Sequence, residues 1–440
     1  MDNSYKNILI ALGISLVAYF LSGFAFNEVQ SRLIATVVFL VTLWTNEALP
    51  LGIVSLLPIV LFPALGILGT TATTTNFSKS IIFLFLGGFM LAIAVEKIGL
   101  HKVIANKLLN IFPSSSKGII FALTVTSALL SSLLSNTTTA LLLMPIALFL
   151  TDVAKLKIRL VLAIAYGASV GGIITPIGTP PNLILMGFLQ TKGLETLSFV
   201  QWMYHTIPLV AIMLAVVSYI LSLGTEDINI KKDENLQQTA SLSNDQKKLS
   251  WILGALVVVL FVNSFFKVNE ATILLGFGIL MFLPKFGFLH WDDTRKIPYE
   301  IIFLFGAGFS IAAAFGSTGL AQAISQKLLT LTQLDPFILI IIIAALITFT
   351  TEVTSNTALI SIALPIIFAL GSSATNIDTN MILMVATICA SYAFMLPIAT
   401  PPNAIAMSSR VLSIKDMARF GFAFNMIAIV LTSTIAYFFW

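Results

Sequence analysis

Long apolar stretches alternate with short polar ones along nearly the whole chain. Eleven are read as membrane spans, near 7–26, 31–49, 51–68, 80–97, 156–190, 203–223, 250–266, 270–284, 299–315, 380–409 and 420–440. A hydrocarbon core about 30 Å thick needs about 20 apolar residues in a helix. Two further pairs of apolar arms, 117–151 and 336–370, each break at a polar Ser-Asn-Thr. Their arms, about 13–18 residues each, are short for a full crossing, so both pairs are read as re-entrant hairpins. LHKVIANKLLNIF (100–112) and LAQAISQKLLTL (320–331) are amphipathic and are expected at the interface. The expected fold class is an all-α polytopic membrane protein of 11 transmembrane helices plus two re-entrant hairpins.

Composition agrees with this pattern. Of 440 residues, 58% are hydrophobic and 10% charged, against about 45–50% and about 25% in soluble domains. Soluble folds, disordered chains and nucleic-acid binding fall with that. The one cysteine, Cys389, excludes an internal disulfide framework and argues against a thiolate metal cluster. No small-residue cleavage site follows the first apolar run, which is expected to be retained as a span. With the N-terminus in the cytoplasm and the spans alternating, 18 of the 23 Lys and Arg residues fall inside. Only Arg32, Lys79, Lys192, Lys267 and Lys327 fall outside, as the positive-inside rule requires. The C-terminus is then extracytoplasmic. Reading either hairpin as a full span would reverse every downstream loop and spoil the count.

The chain repeats itself. Residues 81–109 (IIFLFLGGFMLAIAVEKIGLHKVIANKLL) match 301–329 (IIFLFGAGFSIAAAFGSTGLAQAISQKLL) at 15 of 29 positions, at an offset of 220. The same offset carries Ser135-Asn136-Thr137 onto Ser355-Asn356-Thr357, and an offset of 221 carries Thr179-Pro180-Pro181-Asn182 onto Thr400-Pro401-Pro402-Asn403. Asn46-Glu47-Ala48 has a counterpart in Asn269-Glu270-Ala271. The expected organisation is an N-terminal helix (1–30), a first repeat (31–224), a polar cytoplasmic linker (225–249) and a second repeat (250–440). Five crossings separate the two tips, an odd number, so the repeats are expected to be inverted. Inverted repeats with broken helices point to a secondary transporter with its site near the bilayer midplane.

At a hairpin tip the first arm ends in unpaired carbonyls and the second begins with unpaired amides. The carbonyl end suits a cation, and the amide end, with its positive dipole, suits an anion. Ser131 and Ser135 are four residues apart, as are Thr351 and Ser355, so each pair shares a helical face. With the amide oxygens of Asn136 and Asn356, they form hard-oxygen sets suited to an alkali cation. Paired prolines break the second element of each repeat, in GGIITPIGTPPNLIL (171–185) and YAFMLPIATPPNAIA (392–406). Gly178 and Ala399 just before them are small enough for a carbonyl to approach an ion. Asn182 and Asn403 either cap the resumed helix or tie the loop. No Lys or Arg lies in a hairpin core or a broken loop, so an anion must meet neutral donors, helix dipoles and any cations bound beside it.

Glu352, three residues before Ser355, is read either as biasing the second hairpin toward cations or as facing an extracellular vestibule. Glu47 and Glu270 lie near span ends and read as structural. His101, His205 and His290 fall near membrane boundaries, which argues against an intramembrane serine protease. No G-x-x-x-x-G-K-[ST] occurs, which excludes an ATP-driven pump of that kind. A channel of the same architecture is separable from a carrier by saturable uptake with counterflow.

The Ser-Asn-Thr tips, the paired-proline loops and the repeated halves resemble the divalent anion/sodium symporter family, which includes sodium-coupled di- and tricarboxylate carriers. Residues 390–405, ASYAFMLPIATPPNAI, follow that family's signature, with Ala406 where valine is usual. The resemblance runs from Thr45-Asn46-Glu47-Ala48-Leu49-Pro50 to the last helix. It implies a homodimer in the cytoplasmic membrane, with scaffold and mobile transport domains working as an elevator. It implies no enzyme activity and no cofactor, with sodium as coupling ion. The first sodium site would comprise Ser131, Ser135, Asn136 and Gly178, and the second Thr351, Thr354, Asn356 and Ala399. Substrate carboxylates would meet Asn136, Thr137, Ser355, Asn356 and Thr357, with Pro401 nearby. The expected cargo is a C4 dicarboxylate such as succinate, malate or fumarate. A sodium-independent exchanger, or a citrate or sulfate carrier, is the alternative within the fold.

Overall fold

Three long helices begin at a serine cap. Gln201 N donates to Ser198 Oγ (3.2 Å) and Ser198 N to Gln201 Oε1 (2.8 Å), opening helix Phe199–Ser222. Ser243 and Gln246 make the same exchange (3.2 and 3.0 Å) ahead of Asn244–Phe266, and Ser413 and Asp416 (3.1 and 3.3 Å) ahead of Ile414–Phe439. Such reciprocal capping satisfies two end N–H groups at once. These helices therefore start at residues 199, 244 and 414, ahead of the expected 203, 250 and 420. The last residues assigned to the linker belong to a helix.

The computed structural model describes residues 3–46, 48–113, 115–225, 242–266, 268–328, 330, 333–374 and 377–440. Glu47, Lys267 and most of the 225–249 linker lie outside the described residues. Among those described, the regular structure is helical, with no strand. The breaks fall where the polar motifs sit. The first hairpin has arms Ser116–Ser131 and Asn136–Phe149, and the second Pro336–Thr351 and Asn356–Ser373. The first broken helix runs Ala154–Gly171 and resumes as Pro180–Lys192; the second runs Thr379–Cys389 and resumes as Pro401–Ser408. Both amphipathic helices, Leu100–Ile111 and Leu320–Lys327, follow a left-handed glycine, Gly99 (φ 71) and Gly319 (φ 70). Those glycines are again 220 residues apart, and a φ in that region favours glycine.

Seven described helices are long and apolar enough to cross a membrane by length and composition. One of them is Asn356–Ser373, expected as a half-crossing arm. Two expected spans are shorter than drawn from sequence. Leu51–Ala64, with Pro58 and Pro63 inside it, has 14 residues in place of 51–68. Glu270–Leu280 has 11 in place of 270–284, and the chain then turns through Lys285 at φ 68.

Small residues seat the interrupted elements against one another. A Cβ on Gly171 would lie 2.2 Å from the Ala128 Cα, and one on Gly167 2.6 Å from the Thr124 carbonyl oxygen. Ser127 Oγ donates to Ile164 O across the same contact (2.7 Å). The leading arm of the first hairpin thus lies backbone to backbone on the first broken helix. Gly421 of the last helix lies equally close to Phe394 of the second broken loop, with a Cβ there 2.2 Å from its carbonyl oxygen. Tyr166 joins the halves, donating to Met417 O (3.2 Å) and packing edge-on against Phe394 and Phe424. Because Gly171 meets backbone and not a flexible side chain, Gly171→Ala should cost about 1–3 kcal/mol. A thermal-unfolding midpoint equal to wild type in detergent would contradict this contact.

Candidate functional site

The four breaks bring eight helix ends into the interior. Each break has one end that stops in unpaired carbonyls and one that starts in unpaired amides. At the two resumed helices proline occupies the first helical position, where its missing N–H leaves nothing unpaired.

The four amide ends meet. Asn136, Pro180, Asn356 and Pro401, each the first residue of its helix, line a single cavity of about 320 Å³. Thr137, Ser355 and Thr357 line it too, as do Gly178 and Ala399. Its apolar wall comes from the IIFLF repeat helices, through Phe85 and Phe89 of Ser80–Ile98 and Ile301 and Leu304 of Tyr299–Ser317. No ionisable side chain lines the cavity among the described residues. Four helix N-termini nonetheless give it a positive potential, each worth about half a unit charge before screening.

Oxygens gather beside the cavity at both tips. Ser131 Oγ donates to Asn136 Oδ1 (2.6 Å), and Thr351 Oγ1 to Asn356 Oδ1 (2.6 Å). Ser131 and Thr351 are completely buried. Asn136 Oδ1 and the Gly178 carbonyl oxygen lie 3.0 and 3.3 Å from the point a Gly172 Cβ would occupy, so Ser131, Asn136 and Gly178 converge. At the second tip Thr351 also donates to Ala390 O (3.0 Å), and Asn356 and Ala399 share the cavity. Two predicted hydroxyls turn onto their own helices. Ser135 Oγ accepts from Thr138 N (3.0 Å) and donates to Thr138 Oγ1 (2.8 Å), and Thr354 Oγ1 donates to Thr350 O (2.8 Å). Ser355 makes no capping bond.

The asparagines after the prolines tie the loops. Asn182 Nδ2 donates to Gly172 O (3.1 Å) and Thr175 O (3.0 Å). Asn403 Nδ2 donates to Ala393 O (2.8 Å) and Leu396 O (3.0 Å), the same positions at an offset of 221. Glu270 acts structurally, its Oε1 accepting from Phe199 N at a helix start (2.7 Å).

Glu352 does not face a vestibule. It is 3% exposed, and its carboxylate accepts from Phe394 N (2.8 Å), Met395 N (2.9 Å), Leu396 N (3.0 Å) and Asn425 Nδ2 (2.6 Å). Sequence reasoning missed Asn425, whose one signal is a lone amide within the apolar last helix. It also missed Trp202 and Thr206, which hold the first loop by donating to Ile173 O (2.9 Å) and Ile174 O (3.1 Å). None of His101, His205 and His290 lines the cavity.

The citrate transporter family profile matches residues 39–389. The sodium-dependent dicarboxylate transporter SdcS of Staphylococcus saprophyticus is 31% identical over 92% of this chain and 85% of its own length. The protein of that name from Staphylococcus aureus is 32% identical, with the same coverage. Among solved structures, Neisseria gonorrhoeae MtrF, from a class of antimetabolite efflux pumps, superposes with a TM-score of 0.61. The match covers 83% of this chain and 82% of MtrF at 14% identity. The Alcanivorax borkumensis YdaH transporter gives 0.59 over 83% and 86% at 15% identity. At such identities these two show the fold alone.

Asn182→Leu and Asn403→Leu each leave one loop carbonyl, Gly172 O or Ala393 O, without its side-chain donor, and reduce a second, Thr175 O or Leu396 O, to its turn bond from Gly178 N or Ala399 N, at a cost of about 1–3 kcal/mol. Both variants should unfold at lower temperature than wild type, and the two losses should be similar. A loss in one variant only would mean that the matched ties do unmatched work.

Proposed function

Because the chain belongs to the divalent anion/sodium symporter family of di- and tricarboxylate transporters, we propose that it carries C4 dicarboxylates such as succinate, malate or fumarate across the cytoplasmic membrane in symport with sodium. It is a multi-pass membrane transporter and not an enzyme. The observation that carries the reading is the cavity ringed by four helix N-termini, with no cationic side chain among the described residues of its lining.

Such a cavity attracts an anion but cannot neutralise a dianion by itself. Neutral donors at Asn136, Thr137, Ser355, Asn356 and Thr357 meet the two carboxylates, with Pro401 at the rim. The remaining charge is balanced by sodium at the carbonyl ends of the breaks. One ion sits with Ser131, Asn136 and the Gly178 carbonyl, where Ser135 contributes through its backbone because its hydroxyl is engaged. The other sits with Thr351, Asn356 and the Ala399 carbonyl, and Thr354 contributes in the same way. The volume lies at the low end for small-molecule sites, about 300–1,000 Å³, which favours a four-carbon diacid over citrate. The re-entrant hairpins and broken helices form the mobile domain of an elevator. It moves against a scaffold that includes Ser80–Ile98 and Tyr299–Ser317, whose apolar faces wall the cavity. The protomer pairs as a homodimer, with its N-terminus in the cytoplasm and its C-terminus outside.

Labelled succinate uptake into proteoliposomes tests this reading. Uptake should require an inward sodium gradient and no internal substrate. Uptake that ignores sodium and requires internal succinate would replace symport with exchange. Asn136→Ala and Asn356→Ala should each reduce uptake at least about a hundredfold, as two ligand roles at about 1.4 kcal/mol each imply, with normal expression. Near-normal uptake by both would defeat the tip assignment.

A further inference from the structure

The halves hold their proline loops with different chemistry. In the first half neutral side chains do it. Trp202 and Thr206 donate to Ile173 O and Ile174 O, and Thr175 Oγ1 donates to Ser132 O (2.5 Å). The residues 221 further on are Phe394, Met395 and Leu396, and there the held groups are backbone N–H, all three gripped by Glu352. Position 132, which is 220 residues before Glu352, is serine.

All of the Glu352 partners are donors, which matches a carboxylate in its ionised, acceptor-only form. Among the described residues it forms no ion pair. Among the described residues, then, a buried carboxylate held by N–H donors with no cation beside it occurs in the second half and not in the first. It sits next to Thr351 in the chain and is bonded to Leu396, whose carbonyl accepts from Ala399 N (3.2 Å).

We infer that Glu352 makes the second cation site the tighter of the two, so that sodium occupies it before the first site fills. The inference rests on the reading of both tips as cation sites. In a poorly screened interior, a fixed charge acts on a nearby ion far more strongly than it does in water. Among the described residues, the first site has neutral oxygens only. Glu352 touches the loop and not the proposed cargo, so it is a positioning residue that also supplies field.

The test is thermal stabilisation of the purified full-length protein across a sodium titration without substrate. Wild type should show a tight and a weak phase. The tight phase should vanish in Thr351→Val, persist in Ser131→Ala, and shift to about tenfold higher sodium in Glu352→Gln. Glu352→Asp, which keeps the charge, should restore most of that shift. A tight phase lost in Ser131→Ala and kept in Thr351→Val overturns the inference. So does Glu352→Gln with an unmoved sodium midpoint and only a lower melting temperature, the mark of a purely structural role. If Glu352→Gln fails to fold, the Ser131 and Thr351 variants decide alone. No response to sodium in wild type overturns the cation sites themselves, and the inference with them.

Discussion

A backbone N–H or carbonyl buried away from water needs a partner, and in hydrocarbon the continuous helix is the ordinary way to supply one. This chain breaks four helices in its interior and must settle each break by other means. Nearly every specific feature of the site follows from that need. Asn182 and Asn403 take up loop carbonyls, and Glu352 takes up three loop amides. The serine before each tip either caps its helix, as Ser135 does, or leaves its hydroxyl to the cavity, as Ser355 does. What these side chains leave unpaired faces the cavity.

The two halves agree where the backbone problem is the same and differ where a side chain solved it differently. The Ser131–Asn136 and Thr351–Asn356 bonds are equal in length and role, as are the paired asparagine ties. The first loop closes tightly on itself, because a Cβ on Gly178 would come within 2.5 Å of the Gly172 carbonyl oxygen. The matching positions of the second loop are Ala393 and Ala399, and each accommodates a methyl group. A common design therefore carries two unequal environments.

Much of this was legible in the sequence, because interruptions in an apolar run are conspicuous. Ser-Asn-Thr and Thr-Pro-Pro-Asn marked all four breaks, and the shared offsets marked which pairs correspond. Helix starts were less legible. The first turns after Ser243 and Ser413 carry charged residues and the one after Ser198 carries Gln201, so a reading by apolar run began each helix too late, although Ser-x-x-Gln or Ser-x-x-Asp announces each. Glu352 stood out as an intramembrane acid whose surroundings were left open, and its partners are the amides of Phe394, Met395 and Leu396, which leave no trace in residue identity. The Tyr166–Met417 bond joins residues 251 apart, and no local pattern foretells it.

One consequence follows from the makeup of the cavity lining. Backbone ends, hydroxyls and amides do not titrate between about pH 5 and pH 8, so the lining formed by the described residues keeps one electrostatic character across that range. The first carboxyl group of a free diacid loses its proton near pH 4, as aspartate does at about 3.9, and the second at a higher pH, because the charge already formed opposes it. Acidity then acts on such a cargo before it arrives, by setting how much of it is fully ionised. At the lining itself, proton concentration is read through the guest.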